Sequence, residues 1–150
     1  TMLLNRTQYE KDLERIKPPA VIINMDVDDF KQINDTRGHA AGDYYLRQIA
    51  EVIRTVYGRH GDCYRYGGDE FSLILTKNLH QMEKLNGMFE AALGRLREQD
   101  PQMPMVSLGY ALYEGGIEAL YATIEKADAM MYRNKKVNDR AEIVEIAAEF

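Results

Sequence analysis

Apolar positions along the chain switch between a helical and an extended period, and the switches outline the elements. From Thr7 to Ile16, the residues Tyr9, Leu13 and Ile16 recur at helical spacing, and Pro18 and Pro19 close the segment. The unbroken apolar run from Ala20 to Met25 predicts a buried strand, since a half-exposed one would alternate. Asp26 to Gly42 is polar without a clear period and reads as a connecting stretch. From Asp43, the residues Tyr45, Ile49, Val52, Ile53 and Val56 predict an amphipathic helix ending near Gly58. Two short β-like runs follow, Cys63 to Tyr66 and Phe71 to Thr76. Between them lie Gly67, Gly68, Asp69 and Glu70, which predicts a hairpin whose glycines supply positive φ. A helix over Gln81 to Gln99, a strand over Met105 to Tyr113, a helix over Glu118 to Lys135 and a last edge strand at Ile143 to Ile146 complete the chain. The order α, β, α, β, β, α, β, α, β implies an α+β fold. Its central sheet is mixed and largely antiparallel, covered by helices, and not doubly wound.

Composition narrows what such a domain does. The chain has 150 residues, 45% hydrophobic and 29% charged, with 4 Pro and 11 Gly, as expected for one globular domain over residues 1–150. The longest aliphatic run, Ala20 to Ile23, is far short of a membrane span, and no basic-then-apolar leader opens the chain, so a cytoplasmic location is expected, either free or as the cytoplasmic part of a membrane-anchored protein. Cys63 alone allows neither an intramolecular disulfide nor a cysteine metal cluster. A net charge of −5 argues against polymeric nucleic acid as a partner. A small anionic ligand remains compatible where a metal or a few placed lysines offset the acids.

The acids themselves are clustered. Asn24-Met25-Asp26-Val27-Asp28-Asp29 places carboxylates at the end of the apolar strand, and strand alternation sends Asp26 and Asp28 to one face and Asp29 to the other. The hairpin turn adds Asp69 and Glu70. If the hairpin lies beside the first strand, one carboxylate from each meets at a sheet end, the arrangement that holds Mg²⁺ together with substrate phosphates. The same acids also suit a helix N-cap and a solvated turn. A calcium loop is excluded, because Asp29 stands where glycine is needed and Asp35 where glutamate is needed. A second group, Lys31, Asn34, Asp35, Gly38, His39, Gly42 and Asp43, lies between strand and helix. An asparagine and a carboxylate together match the amide edge of guanine and not adenine. Asp43 equally suits the early turn of a helix, and a lone His39 is more often structural than catalytic.

These residues compose a longer pattern: Asp26-Val27-Asp28-Asp29-Phe30-Lys31-Gln32-Ile33-Asn34-Asp35, then Gly38-His39 and Gly42-Asp43, then Arg65-Tyr66-Gly67-Gly68-Asp69-Glu70-Phe71. The chain resembles the GGDEF family of diguanylate cyclases, which join two GTP molecules into cyclic di-GMP with release of pyrophosphate. Thr1-Met2-Leu3-Leu4-Asn5-Arg6 is similar to the family's opening motif, Val106 to Ala111 to its Ser-x-Gly strand, and Ala127-Asp128 through Tyr132 to Lys135 to its last helix. The resemblance implies a sheet like that of nucleotidyl cyclases and polymerase palms. It implies that Asp26, the backbone carbonyl of Val27 and Glu70 hold Mg²⁺ or Mn²⁺, and that Asp69 contacts metal or accepts the 3′-hydroxyl proton. Asn34 and Asp43 are then the guanine readers, with Leu46 beside the base and His39 within the same substrate-binding stretch. Phe30 and Lys31 approach the phosphates, and Lys135 reaches the terminal ones. Catalysis would fall to Asp69, Glu70 and Lys31. A symmetric product further implies a two-fold homodimer with one GTP in each half.

Three departures from the family pattern stand out. Where the family shows Gly-Arg-Asn after the last helix's lysine, this chain has Asn138, Asp139 and Arg140. Losing the arginine's phosphate contact is worth about 1.5–3 kcal/mol unless Arg140 substitutes by a one-residue shift. Arg59 and Asp62 resemble the product-inhibition motif, but four residues instead of five separate Asp62 from Gly67. The chain also opens inside the first motif, as a catalytic module of a longer protein with an N-terminal sensory domain would. Asp139 keeps open a second reading, a catalytically silent domain that senses GTP or cyclic di-GMP.

Overall fold

The computed structural model describes residues 3–148, with side chains through Asn138 except that of Glu118. Five strands, β1 (Leu4–Asn5), β2 (Ala20–Val27), β3 (Gly61–Arg65), β4 (Glu70–Leu75) and β5 (Val106–Tyr113), form one sheet in the order β1-β3-β4-β2-β5. β1 runs parallel to β3, and the other pairs are antiparallel. The helices are α1 (Arg6–Glu14), α2 (Phe30–Arg37), α3 (His39–Tyr57), α4 (Met82–Gln99) and α5 (Ile117–Ala148). The fold is α+β with a mixed, mostly antiparallel sheet. Among the described residues, no helix is long and apolar enough to cross a membrane.

β2 pairs with both β4 and β5 and is covered on both faces, which is why its sequence reads as an unbroken apolar run. Its odd positions, Val21, Ile23, Met25 and Val27, join Ile49 and Ile53 of α3 and Phe89 and Leu93 of α4 in the main core. Each such fully buried side chain contributes about 1.5–3 kcal/mol. Its even positions face α1 and α5: Ala20 packs with Tyr9, Tyr64, Ile74 and Tyr113 in a smaller cluster. The polar even positions Asn24 and Asp26, and Asp28 just past the strand's end, meet side chains of α5. Gly109 of β5 lets α5 lie this close, because a Cβ there would stand 2.1 Å from the carbonyl oxygen of Ala127 and 2.3 Å from the amide nitrogen of Met131.

The elements differ from the sequence expectation in four places. Much of the polar stretch from Asp26 to Gly42 folds as α2, whose only large apolar residues, Phe30 and Ile33, pack against the main core. α3 starts at His39, four residues before Asp43. β1 has only two residues, too few to show a period, and Asn5 at its end caps α1 by accepting a 2.9 Å bond from the Gln8 amide. The edge strand expected at Ile143 to Ile146 is not formed; α5 continues through it, in a stretch where Ala and Glu interleave the β-branched residues.

Candidate active site

Asp26, on the last turn of the pleat in β2, is the register partner of Glu70, the first residue of β4. The two carboxylates therefore stand side by side at one end of the sheet. Pairing extends one step further, because the Val27 amide donates to the Asp69 carbonyl at 2.9 Å and draws the hairpin tip against the end of β2. The tip is closed differently from the expectation. Positive-φ glycines among the described residues are Gly38, Gly115 and Gly116, not Gly67 or Gly68. The turn is held instead by the amides of Tyr66 and Gly67, both donating to the Glu70 carbonyl, and by Arg65, whose Nη2 donates to the Gly68 carbonyl at 2.9 Å.

The acids perturb one another. Burial and the neighbouring Asp26 push the carboxyls of Asp69 and Glu70 above the usual carboxylate range. Burial likewise raises Asp128 and Asp28. Lys135 of α5 reaches in, its Nζ 3.0 Å from Oδ2 of Asp26, and this contact raises the lysine's pKa. Among the described residues no three acidic, histidine or cysteine groups close into a metal cage. Two opposed carboxylates beside a chain carbonyl nevertheless suit Mg²⁺, which keeps several waters and takes further oxygens from substrate phosphates. The donor set fits that ion better than it fits a structural Zn²⁺ or Ca²⁺ site.

The remaining expected residues lie on the two helices that follow β2. α2 begins three residues after β2 ends, so the free amides of its first turn, at Phe30 and Lys31, open at the same sheet end. Asp29 stands at the N-cap of α2 but makes no capping bond with its side chain. Asn34 sits in the middle of α2 with its Oδ1 buried and without a hydrogen-bond partner. Across from it, Gly42 of α3 is so close that a Cβ would lie 2.0 Å from that oxygen. Asp43 is the next residue and is exposed, while Leu46 is buried one turn further on. Lys31 and His39 are exposed, and Phe30 is half-buried. Gly38, at φ 88°, makes the sharp corner between α2 and α3. Arg37 at the end of α2 donates to the Tyr45 hydroxyl at 2.5 Å, which donates to Asp100 at 2.7 Å, so the tilt of α2 is tied to the core helices. Arg59 and Asp62 are both exposed, between α3 and β3 and on β3. The side chains of Asp139 and Arg140 lie outside the described residues. A cleft of about 880 Å³ between α1 and α5 reaches Glu70 and Asp128 but touches none of Asn34, Asp43, Leu46 or Lys135.

The sequence reading missed the polar partners that α5 brings to β2. Asn24 donates to Asp128 at 2.6 Å and accepts from Ser72 at 3.0 Å; Ser107 donates to Asp28 at 2.8 Å; Asn138 donates to Asp28 at 3.0 Å and to Ser107 at 3.1 Å. A signal was present in two periods: Asn24, Asp26 and Asp28 alternate along a strand, and Asp128 and Lys135 are seven apart on one helix face.

Comparison with known proteins agrees with this geometry. The family model for the diguanylate cyclase GGDEF domain matches residues 1–140, and the chain belongs to the GGDEF family. It is 30% identical over 128 residues to diguanylate cyclase A of Treponema denticola, covering 77% of this chain and 32% of that protein. It is 30% identical over 148 residues to diguanylate cyclase DosC of Escherichia coli, covering 91% of this chain and 32% of that protein. The chain thus spans about a third of the length of these curated relatives. Among solved structures it is similar to the GGDEF domain of DgcB from Caulobacter crescentus in complex with c-di-GMP, with a TM-score of 0.77, 27% identity and coverage of 92% of this chain and 86% of that one. It is also similar to the GGDEF domain of PA1120 from Pseudomonas aeruginosa, with a TM-score of 0.71, 29% identity and coverage of 90% and 91%.

Proposed function

We propose that this domain is an active diguanylate cyclase, condensing two GTP into cyclic di-GMP with Mg²⁺ or Mn²⁺ as cofactor. The observation that carries this reading is the cross-strand pairing of Asp26 with Glu70 beside Lys135. Asp26, Glu70 and the Val27 carbonyl would hold the ion, which would supply positive charge to offset the triphosphate. The chain's own residues do the positioning that phosphoryl transfer chiefly needs. The first-turn amides of α2 and the Lys31 ammonium bind phosphate oxygens, and Lys135 binds the terminal phosphates. Asn34 and Asp43 accept the guanine N–H donors, and Leu46 closes the apolar side of the base site. Asp69, with its raised pKa, takes the 3′-hydroxyl proton as that oxygen bonds to the α-phosphorus of the partner's GTP and pyrophosphate leaves. Two such transfers close the ring, so two domains face each other in a homodimer. Their input comes from a sensory domain elsewhere in a longer, cytoplasmically active protein.

Incubation with Mg²⁺ and GTP at high protein concentration is expected to yield one cyclic di-GMP and two pyrophosphates per two GTP. GTP binding without product would overturn the cyclase reading. One observation favours a second reading, a silent nucleotide sensor: Asp139 stands where the family carries a phosphate-binding arginine. Calorimetric titration separates them, because a sensor binds GTP or cyclic di-GMP and releases no pyrophosphate.

A further inference from the structure

Lys135 is held on both sides along α5. Seven residues before it, Asp128 accepts from the buried Asn24 of β2. Three residues after it, the Asn138 amide group spends one hydrogen on Asp28 and the other on the Ser107 oxygen, while the Ser107 hydroxyl donates to Asp28. Every hydrogen in that triad has an acceptor. Asp28 is only 5% exposed and Ser107 1%, so the anchor on the sheet side is rigid. The motif's usual glycine could make none of these side-chain bonds.

We propose that Asn138 is a positioning residue for Lys135, pinning the turn of α5 beyond it so that the ammonium stays over Asp26 and in reach of the triphosphate. The lock falls in the one motif where Asp139 also replaces the family's arginine, so more of the triphosphate's neutralisation on α5 rests with Lys135. The chain thereby trades a second cation for a more rigidly held first one. The inference rests on the cyclase reading for its kinetic consequence, but not for the geometry.

Two measurements test it. In the first, Asn138→Ala raises the KM for GTP about fivefold, the size of one lost hydrogen bond, and alters kcat less than about twofold. Adding Asn138→Ala to Lys135→Ala then causes no further rise. Losses that multiply in the double variant would assign Asn138 a role separate from Lys135 and overturn the proposal. In the second, the intact domain without nucleotide is treated with limiting acetic anhydride and the lysines are quantified by mass spectrometry. Lys135 is acetylated severalfold faster in Asn138→Ala than in the parent, with Lys11 and Lys84 unchanged as internal references. Equal rates at Lys135 would overturn the proposal even if the protein makes cyclic di-GMP. If neither protein binds GTP, the cyclase reading fails while the labelling comparison still decides the position of Lys135.

Discussion

Asn34 carries a buried oxygen with no partner, a cost of about 1–3 kcal/mol that a ligand donor removes. Guanine carries an adjacent N1–H and N2–H pair that Asn34 and Asp43 together would accept in the proposed site, and adenine, with its N6 amino donor alone, has no such pair. Asp43→Ala is therefore expected to cut the preference for GTP over ATP about tenfold or more in competition binding, with ATP affinity nearly unchanged. An unaltered ratio would remove Asp43 from base recognition. At Glu70, the acid cluster makes a claim about pH. Its carboxyl is raised in the folded chain by burial and by Asp26, so the native state binds more protons than the unfolded one from about the ordinary value of 4.5 upward. Stability from this group accordingly falls as pH rises through that window. Glu70→Gln should raise the Tm of metal-free protein at pH 7.5 by about 2 °C, screened as this exposed carboxyl is, and the gain should vanish near pH 4. Mg²⁺ should then stabilise the parent and not the variant. Glu70 was legible as a candidate because it sits at a strand end beside a turn, and Asp43, inside α3, because it belongs to the polar group from Lys31 to Asp43 and to the family pattern. Ser107 and Asn138 were not, because their importance depends on where α5 crosses β5, which no local pattern records.

α2 and α3 approach each other at Gly42, and α5 approaches β5 at Gly109, but the two contacts differ in what an added methyl would strike. At Gly42 it meets only side-chain ends, the Asn34 oxygen 2.0 Å away and the Phe30 ring tip at 3.0 Å, which a rotamer change and a small ring shift relieve. At Gly109 it meets helix backbone, which has no such escape. Gly42→Ala should therefore keep the fold, with Tm lowered by no more than about 4 °C, yet weaken GTP binding about tenfold by turning Asn34 away. Gly109→Ala should cost about 1–3 kcal/mol in denaturant unfolding as α5 is pushed off the sheet. Near-equal stability losses in the two variants would refute the distinction. The contrast also explains which elements the sequence revealed. β2 is an unbroken apolar run, α3 is long and strongly periodic, and β4 is flanked by turn residues, so all three stood out. α2 has eight residues with two large apolar ones, and its helical state depends on Phe30 and Ile33 finding the core. The continuation of α5 past Lys135 was hidden by β-branched residues that read as an edge strand.

For the whole molecule, the decisive quantity is the number of triphosphates one domain can present. In the cyclase reading, Asp26, Glu70, Asn34, Asp43 and Lys135 would supply one set of phosphate and base contacts per chain. A product built from two equivalent guanosines needs two such sets facing one another, and a chain with a net charge of −5 meets its copy against a like-charged field. Turnover per chain should therefore climb with protein concentration, nearly in proportion while the domains are mostly monomeric, and flatten once dimers predominate. Attaching a parallel two-stranded coiled coil ahead of residue 1 should abolish that dependence, because it holds the partners at an effective concentration on the order of millimolar. A dilution series of both forms, followed by pyrophosphate release, checks the claim. Specific activity that stays constant over a hundredfold dilution of the untethered chain, with sedimentation showing monomer throughout, would mean that one domain completes the chemistry alone, and the facing-site arrangement would have to be abandoned.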